Sequence, residues 1–169
     1  MDKRFGQIIT AVLVIFVSAV TFFTSLMCII ASDAPSVDSQ MLASINNLRT
    51  TRGLGALSVD PVLSNIAETR AKEASSVWSH TRPNGTQGAD MIDRTKWRGE
   101  NLSYVVVSNF DGSASISAAA ASTMFSKLCA SPTHFDNMVF SNFTKIGIAT
   151  FAAPTAGGTK ITTAYMFSN

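Results

Sequence analysis

The chain has 169 residues, 46% of them hydrophobic and 14% charged, and a formal net charge of +2. That is the size of one ordinary domain rather than two, and the low charge with plentiful apolar residues excludes intrinsic disorder. So small a charge, with no Lys/Arg cluster, excludes an electrostatic nucleic-acid binder. The two cysteines, Cys28 and Cys129, give no disulfide framework, and two histidines, His80 and His134, cannot make a three-histidine metal site.

The first element is an apolar run. No charge lies between Arg4 and Asp33, and residues 8–31 are rich in Ile, Val, Leu and Phe. About 20 such residues span a bilayer as a helix. Lys3 and Arg4 ahead of it hold the N-terminus in the cytoplasm. The run is either an uncleaved signal-anchor or a signal peptide cut near Ala31 or Ala34. Both readings export residues 35–169, and the anchor reading makes the membrane a partner through residues 8–31. Cys28 is a small apolar residue of the span. The organisation expected is therefore a signal segment over 1–31, a short linker with Pro35 over 32–39, and one domain over 40–169.

Within the domain, Met41, Leu42, Ile45 and Leu48 share a helical face, with Ser36 or Asp38 as cap and Gly53 as a left-handed stop. Asp60-Pro61 reads as the N-cap and first residue of a second helix. Leu63, Ile66, Ala67, Arg70, Ala71 and Ala74 continue it, with Arg70 and Glu73 on its solvent side. Residues 79–88, containing Pro83 and Asn84-Gly85, form a loop, and 89–94 a short helix. Residues 102–107 are β-branched and predict a strand. Asp111-Gly112-Ser113 leads into a helix over 115–128, with Ile116, Ala120, Met124 and Leu128 four apart and Pro132 as its stop. Ile146 and Ile148 alternate as a strand, Gly157-Gly158 turns, and 159–167 returns. The fold class is α+β, with helices covering an antiparallel sheet. Trp78 and Trp97 are expected to pack helices onto that sheet.

Three polar segments have a loop setting: 79–85 (Ser-His-Thr-Arg-Pro-Asn-Gly), Gly99-Glu100-Asn101, and Ser131-Pro132-Thr133-His134. They resemble the Ser-His-Thr…Gly, Gly-Glu-Asn and Ser-Pro-x-His signatures of bacterial CAP (or SCP) domains. That superfamily comprises the cysteine-rich secretory proteins, antigen 5 and pathogenesis-related 1 proteins. The resemblance begins at Ile45-Asn46-Asn47-Leu48-Arg49 and Gly53-Leu54-Gly55-Ala56-Leu57. It continues through Val59-Asp60-Pro61-Val62-Leu63 and reaches Asn142-Phe143-Thr144-Lys145-Ile146-Gly147-Ile148. It covers nearly all of the exported part, and it implies an α-β-α sandwich behind the N-terminal transmembrane or signal helix.

Matched motif by motif, His80, Glu100 and His134 take the places of residues lining the family's cavity. Two imidazoles and a carboxylate can share a divalent cation such as zinc, or hydrogen-bond a polar ligand. A nearby carboxylate raises the proton affinity of either histidine. The sequence departs from the pattern in having no acid in the 115–128 helix, Leu128 for a Trp, Thr133 for a Gly and Phe135 for an Arg. The structural alternative is that both histidines tie loops to carbonyls and Glu100 accepts backbone N–H groups. Cys129 has no Gly-rich oxyanion loop around it and reads as a small hydrophobe rather than a nucleophile. The function expected is an extracellular, membrane-tethered or secreted, non-enzymatic module for a lipid, cell-envelope component, metal or protein. The alternative is a hydrolase in which His80, Glu100 and His134 hold a metal that activates water.

Overall fold

A computed structural model describes residues 36–169 of the chain; the apolar run and the first half of the expected linker lie outside the described residues. Ser36 ends the linker as a helix cap, its hydroxyl accepting from the Ser39 backbone N–H at 3.2 Å. Helix α1 (Val37–Thr50) thus starts inside the expected linker and buries Val37, Met41, Ile45 and Arg49. It stops before Gly53, which takes the left-handed conformation with φ 75°. Strand β1 (Ser58–Val59) leads to Asp60, whose carboxylate accepts from the Val62 and Leu63 N–H groups and opens helix α2 (Pro61–Ser76). The cap and the Pro at the first helical position are as read from the sequence.

A single 3₁₀ turn (Gly88–Met91) replaces the short helix expected over 89–94. Strand β2 (Arg98–Val107) begins four residues earlier than predicted, so Gly99-Glu100-Asn101 is strand and not loop. Helix α3 (Ala114–Ala130) is followed at once by helix α4 (Pro132–Val139). Pro132 therefore stops one helix and starts the next, a position where its missing N–H costs nothing. His134 is consequently helical, a correction to the loop setting expected. Strands β3 (Lys145–Thr155) and β4 (Gly158–Ser168) form the terminal hairpin.

The sheet order is β1-β3-β4-β2. The β2–β4 and β3–β4 pairs are antiparallel, while the short β1 lies parallel to β3, so the sheet is mixed at one edge. Side chains alternate across it. Ile161, Tyr165 and Phe167 of β4 face a core made with α1, α3 and α4, including Met41, Ile45, Met124, Leu128 and Met138. Ala164 and Met166 face the other way, against Leu63, Ala67, Ala71 and Ala74 of α2. Helices on both faces of one sheet make the three-layer α-β-α sandwich expected. β4 is central, which explains why Ile161 to Ser168 are all buried. Among the described residues no helix is long and apolar enough to cross a membrane.

Two expectations about side chains fail. Arg70 is 1% exposed rather than on the solvent side. Trp78 and Trp97 are 47% and 55% exposed and do not fill the interface between helices and sheet.

Candidate functional site

The site forms where the edge strand β2 presents neighbouring residues to opposite layers. Glu100 points to the α2 side and Asn101 to the α3–α4 side, by the two-residue period of a strand. Glu100 is held from beneath by Arg70: Nε donates to Oε2 at 2.6 Å and Nη2 to Oε1 at 3.4 Å. The same guanidinium donates to Glu73 Oε2 at 2.5 Å and to the Ser79 carbonyl at 2.8 Å. Glu73 in turn accepts from Arg82 at 2.9 and 3.1 Å. Both Arg70 and Glu100 are nearly inaccessible, with side-chain exposures of 1% and 3%. Breaking such a pair is costly, because it strands a charge away from water.

His80 sits on the loop after α2, with Nδ1 2.7 Å from Glu100 Oε1. An ionised carboxylate only accepts, so Nδ1 carries the proton and donates, which leaves Nε2 as the free position of the ring. The imidazole is itself half exposed, at 52%. Gly88 makes the arrangement possible. Its N–H donates to the His80 carbonyl at 2.9 Å, and a Cβ there would overlap Glu100 Oε2 and Arg70 Nε.

On the other side of the strand, Asn101 Nδ2 donates to the His134 carbonyl at 2.8 Å, and Asn137 Nδ2 donates to Asn101 Oδ1 at 2.9 Å. These amides fasten α4 to β2 and bring His134 beside His80. The ring centroids lie 6.2 Å apart, inclined at 37°. Burial, and secondarily repulsion from His80, hold the His134 pKa below the ordinary imidazole value. This is opposite to the rise expected from a neighbouring carboxylate, because Glu100 is turned toward Arg70 and His80.

The structure therefore brings His80, Glu100 and His134 into one locality but does not give them one role. Both Glu100 oxygens are engaged by Arg70 and His80, so the carboxylate is directed at those two partners. Among the described residues no group of three or more His, Cys, Asp or Glu is disposed to hold a metal. The donor set thus does not fit the three-ligand cation site. Arg70, Glu73, Asn101 and Asn137 were not singled out from the sequence as site residues. The available signal was the coincidence of Arg70 with the apolar stripe of α2. Cys129 is half-buried, and desolvation pushes its thiol pKa up, as suits a packing residue rather than a nucleophile.

The chain also has relatives of known structure. An outer surface protein of Borrelia burgdorferi superposes with a TM-score of 0.55 at 19% identity, over 76% of this chain and 88% of that one. A cysteine-rich secretory protein of Staphylococcus aureus gives 0.53 at 17%, over 81% of this chain and 40% of that one. An extracellular SCP-domain protein of Bacillus anthracis gives 0.51 at 18%, over 76% and 39%. The chain spans about two-fifths of the length of the last two. At such identities the likeness shows the fold alone. A search of the curated proteins finds no match. The model of the CAP family, the cysteine-rich secretory protein family, matches residues 42–165. The chain belongs to the CAP, or cysteine-rich secretory protein, family.

Proposed function

We propose that residues 36–169 form an exported, non-enzymatic binding module, tethered through the apolar run, which receives a polar group of a cell-envelope ligand on His80 and His134. The observation that carries this is the support beneath His80. A buried carboxylate, pinned by a buried guanidinium, fixes the tautomer of a half-exposed ring and leaves Nε2 as the nitrogen for a ligand. A histidine that merely ties down a loop needs no such foundation, whereas a recognition group gains by being held in advance. His134 adds a second imidazole, which burial keeps neutral and able to accept as well as donate. Two bacterial relatives are an outer surface protein and an extracellular protein, which agrees with export. The hydrolase reading has no support of this kind, since Glu100 is spent on Arg70 and His80.

Two experiments test the proposal. Protease shaving of intact cells should remove the domain; protection until lysis would defeat export. For the site, the imidazole resonances of His80 and His134 are followed during titration with soluble muropeptides and with short-chain phosphatidylglycerol. At least one probe should shift both rings, and His80→Ala and His134→Ala should each abolish the response, with amide and ester hydrolysis at the buffer rate. Hydrolysis above that rate, lost in both variants, would replace binding by catalysis.

A further inference from the structure

The hairpin half of the sandwich carries an unpartnered aromatic and basic face. Val77, Trp78, Tyr104 and Val106 are 65%, 47%, 39% and 45% exposed. Tyr104 and Val106 are alternate residues of β2 and share a face. Trp78 lies edge-on to Tyr104 at 4.8 Å between centroids. Lys160, the cross-strand partner of Val106, places Nζ 4.9 Å from the Tyr104 ring centre and 5.8 Å from that of Trp78. Lys127 places Nζ 5.6 Å from Tyr104. Neither lysine is in an ion pair with a carboxylate among the described residues. The patch thus combines two amphipathic rings, Val106 and two lysines that pair with no carboxylate among the described residues.

We propose that this face docks on an anionic lipid surface. Tyr and Trp suit the boundary between headgroups and acyl chains, with an apolar body and a polar tip, and lysines over them meet lipid phosphates. The course of α1 fixes where the chain enters the domain. Asp38 bonds Thr150 midway along β3, and Arg49 bonds the Phe143 carbonyl ahead of that strand. The helix therefore runs away from the hairpin, and its Ser36 end lies toward it. Ser75, at the end of α2, accepts from Lys160, so α2 also ends at the hairpin. The chain thus enters on the hairpin side of Thr150, across the sheet from Tyr104 and Val106, since α1 packs on the Tyr165 face. Only residues 32–35 separate that entry from the apolar run at 8–31, roughly 14 Å of fully extended chain. The docking rests on the reading of that run as a membrane span, which keeps the domain within reach of the bilayer surface.

Trp78 and Trp97 are the two tryptophans of the chain, and they make the test. Trp97 packs edge-on against Phe140 and bonds Asn169 through its N–H. It precedes β2 at the far end, roughly 20 Å from Tyr104 at the rise of a strand. The full chain is reconstituted into vesicles of phosphatidylglycerol and brominated phosphatidylcholine, as Trp97→Phe (Trp78 reporting) and as Trp78→Phe (Trp97 reporting). Flotation is measured first. Trp78 should be quenched and Trp97 should not. Replacing phosphatidylglycerol by neutral lipid should relieve the quenching. Lys127→Gln and Lys160→Gln should each weaken docking about fivefold, the equivalent of one lysine at an anionic surface. A chain that floats with Trp78 unquenched, or with both tryptophans quenched alike, keeps the tether and overturns the docking. A chain that does not float overturns both. Quenching of Trp78 indifferent to lipid charge also overturns the proposal as stated.

Discussion

Arg49→Met is the most telling single change to the fold. Arg49 is 1% exposed and has no carboxylate in contact among the described residues. Its fork donates instead to four carbonyls: Nε to Gly55 at 2.8 Å, Nη1 to Met138 and Phe140 at 3.0 Å each, and Nη2 to Phe143 at 2.9 Å. Burial holds its pKa below the ordinary guanidinium value, the mark of a charge that is costly to desolvate. Methionine removes that cost along with the bonds. What remains is the penalty of the orphaned acceptors, of which the Met138 and Phe143 carbonyls are fully buried. At about 1–3 kcal/mol for each, Arg49→Met should cost about 2–6 kcal/mol, a large share of the ~5–15 kcal/mol that folds a domain. Arg49→Lys keeps the charge but not the planar fork, so it should also destabilise, though less. Urea unfolding measures both, with the slope compared to ensure that the denatured state is unchanged. If Arg49→Met unfolds at the wild-type midpoint, the fork contributes nothing net and this reasoning is wrong. A second readout is local. Met138 and Phe140 lie at the end of α4, so the His134 ring resonances should move in Arg49→Lys while the α2 amides stay in place.

Gly88→Ala should separate Arg70 from Glu100 and cost about 3–5 kcal/mol, as breaking a buried ion pair does; an unshifted melting temperature would contradict it. Asp60→Ala should cost about 0.5–2 kcal/mol. The Leu63 N–H, chief among several causes, holds the Asp60 pKa below its unfolded value. The capping contribution is therefore present above the unfolded pKa and lost as pH falls through the folded one, so wild type and variant should converge in acid. The depressed His134 pKa has the corresponding sign. The unfolded chain takes up a proton first as pH falls below the ordinary imidazole value, so stability declines there, and His134→Gln should flatten that part of the pH–stability curve. Deleting Phe167–Asn169 should lower the melting temperature well beyond what three residues suggest, because Phe167 is fully buried in the central strand.

The legible parts of the fold were those governed by local rules. The Asp60-Pro61 cap, the stop at Gly53, the four-residue period from Ile116 to Leu128 and the terminal hairpin each express a constraint contained within a few residues. The misread parts depend on partners distant in sequence. Glu100 lacks the character of a strand residue, yet it lies in β2 because Arg70, on another element, neutralises it. Ser131 to His134 contains a Pro, which marks a break but does not say whether a new helix begins at it. Trp78 and Trp97 are expected to pack helices onto the sheet, but the interior next to α2 is filled by small residues such as Ala67, Ala71 and Ala74, which leave a close helix–sheet contact with no room for indole.

Two buried arginines support the candidate site, and periodicity gives neither that role: Arg70 falls within the repeat of α2 yet reads as solvent-facing, and Arg49 lies outside the face of Met41, Leu42, Ile45 and Leu48. A charged residue on an apolar stripe looks like a flaw in the stripe until its partner is seen. Arg70 reaches from α2 to Glu100 and through it fixes His80. Arg49 reaches from α1 to the end of α4, the helix that carries His134. The clamps act from opposite faces of the sheet, and the rings on the elements they hold lie 6.2 Å apart. Each histidine can thus be loosened without touching the other: Arg49→Lys should disturb His134 with the His80–Glu100 bond intact, and Gly88→Ala should do the reverse. Ligand affinity should fall in both, since recognition by the pair requires their separation and not merely their presence. Because the clamps share no partner among the described residues, their effects on stability should add in the double variant. Their effects on binding should not, because one displaced ring already spoils the pair.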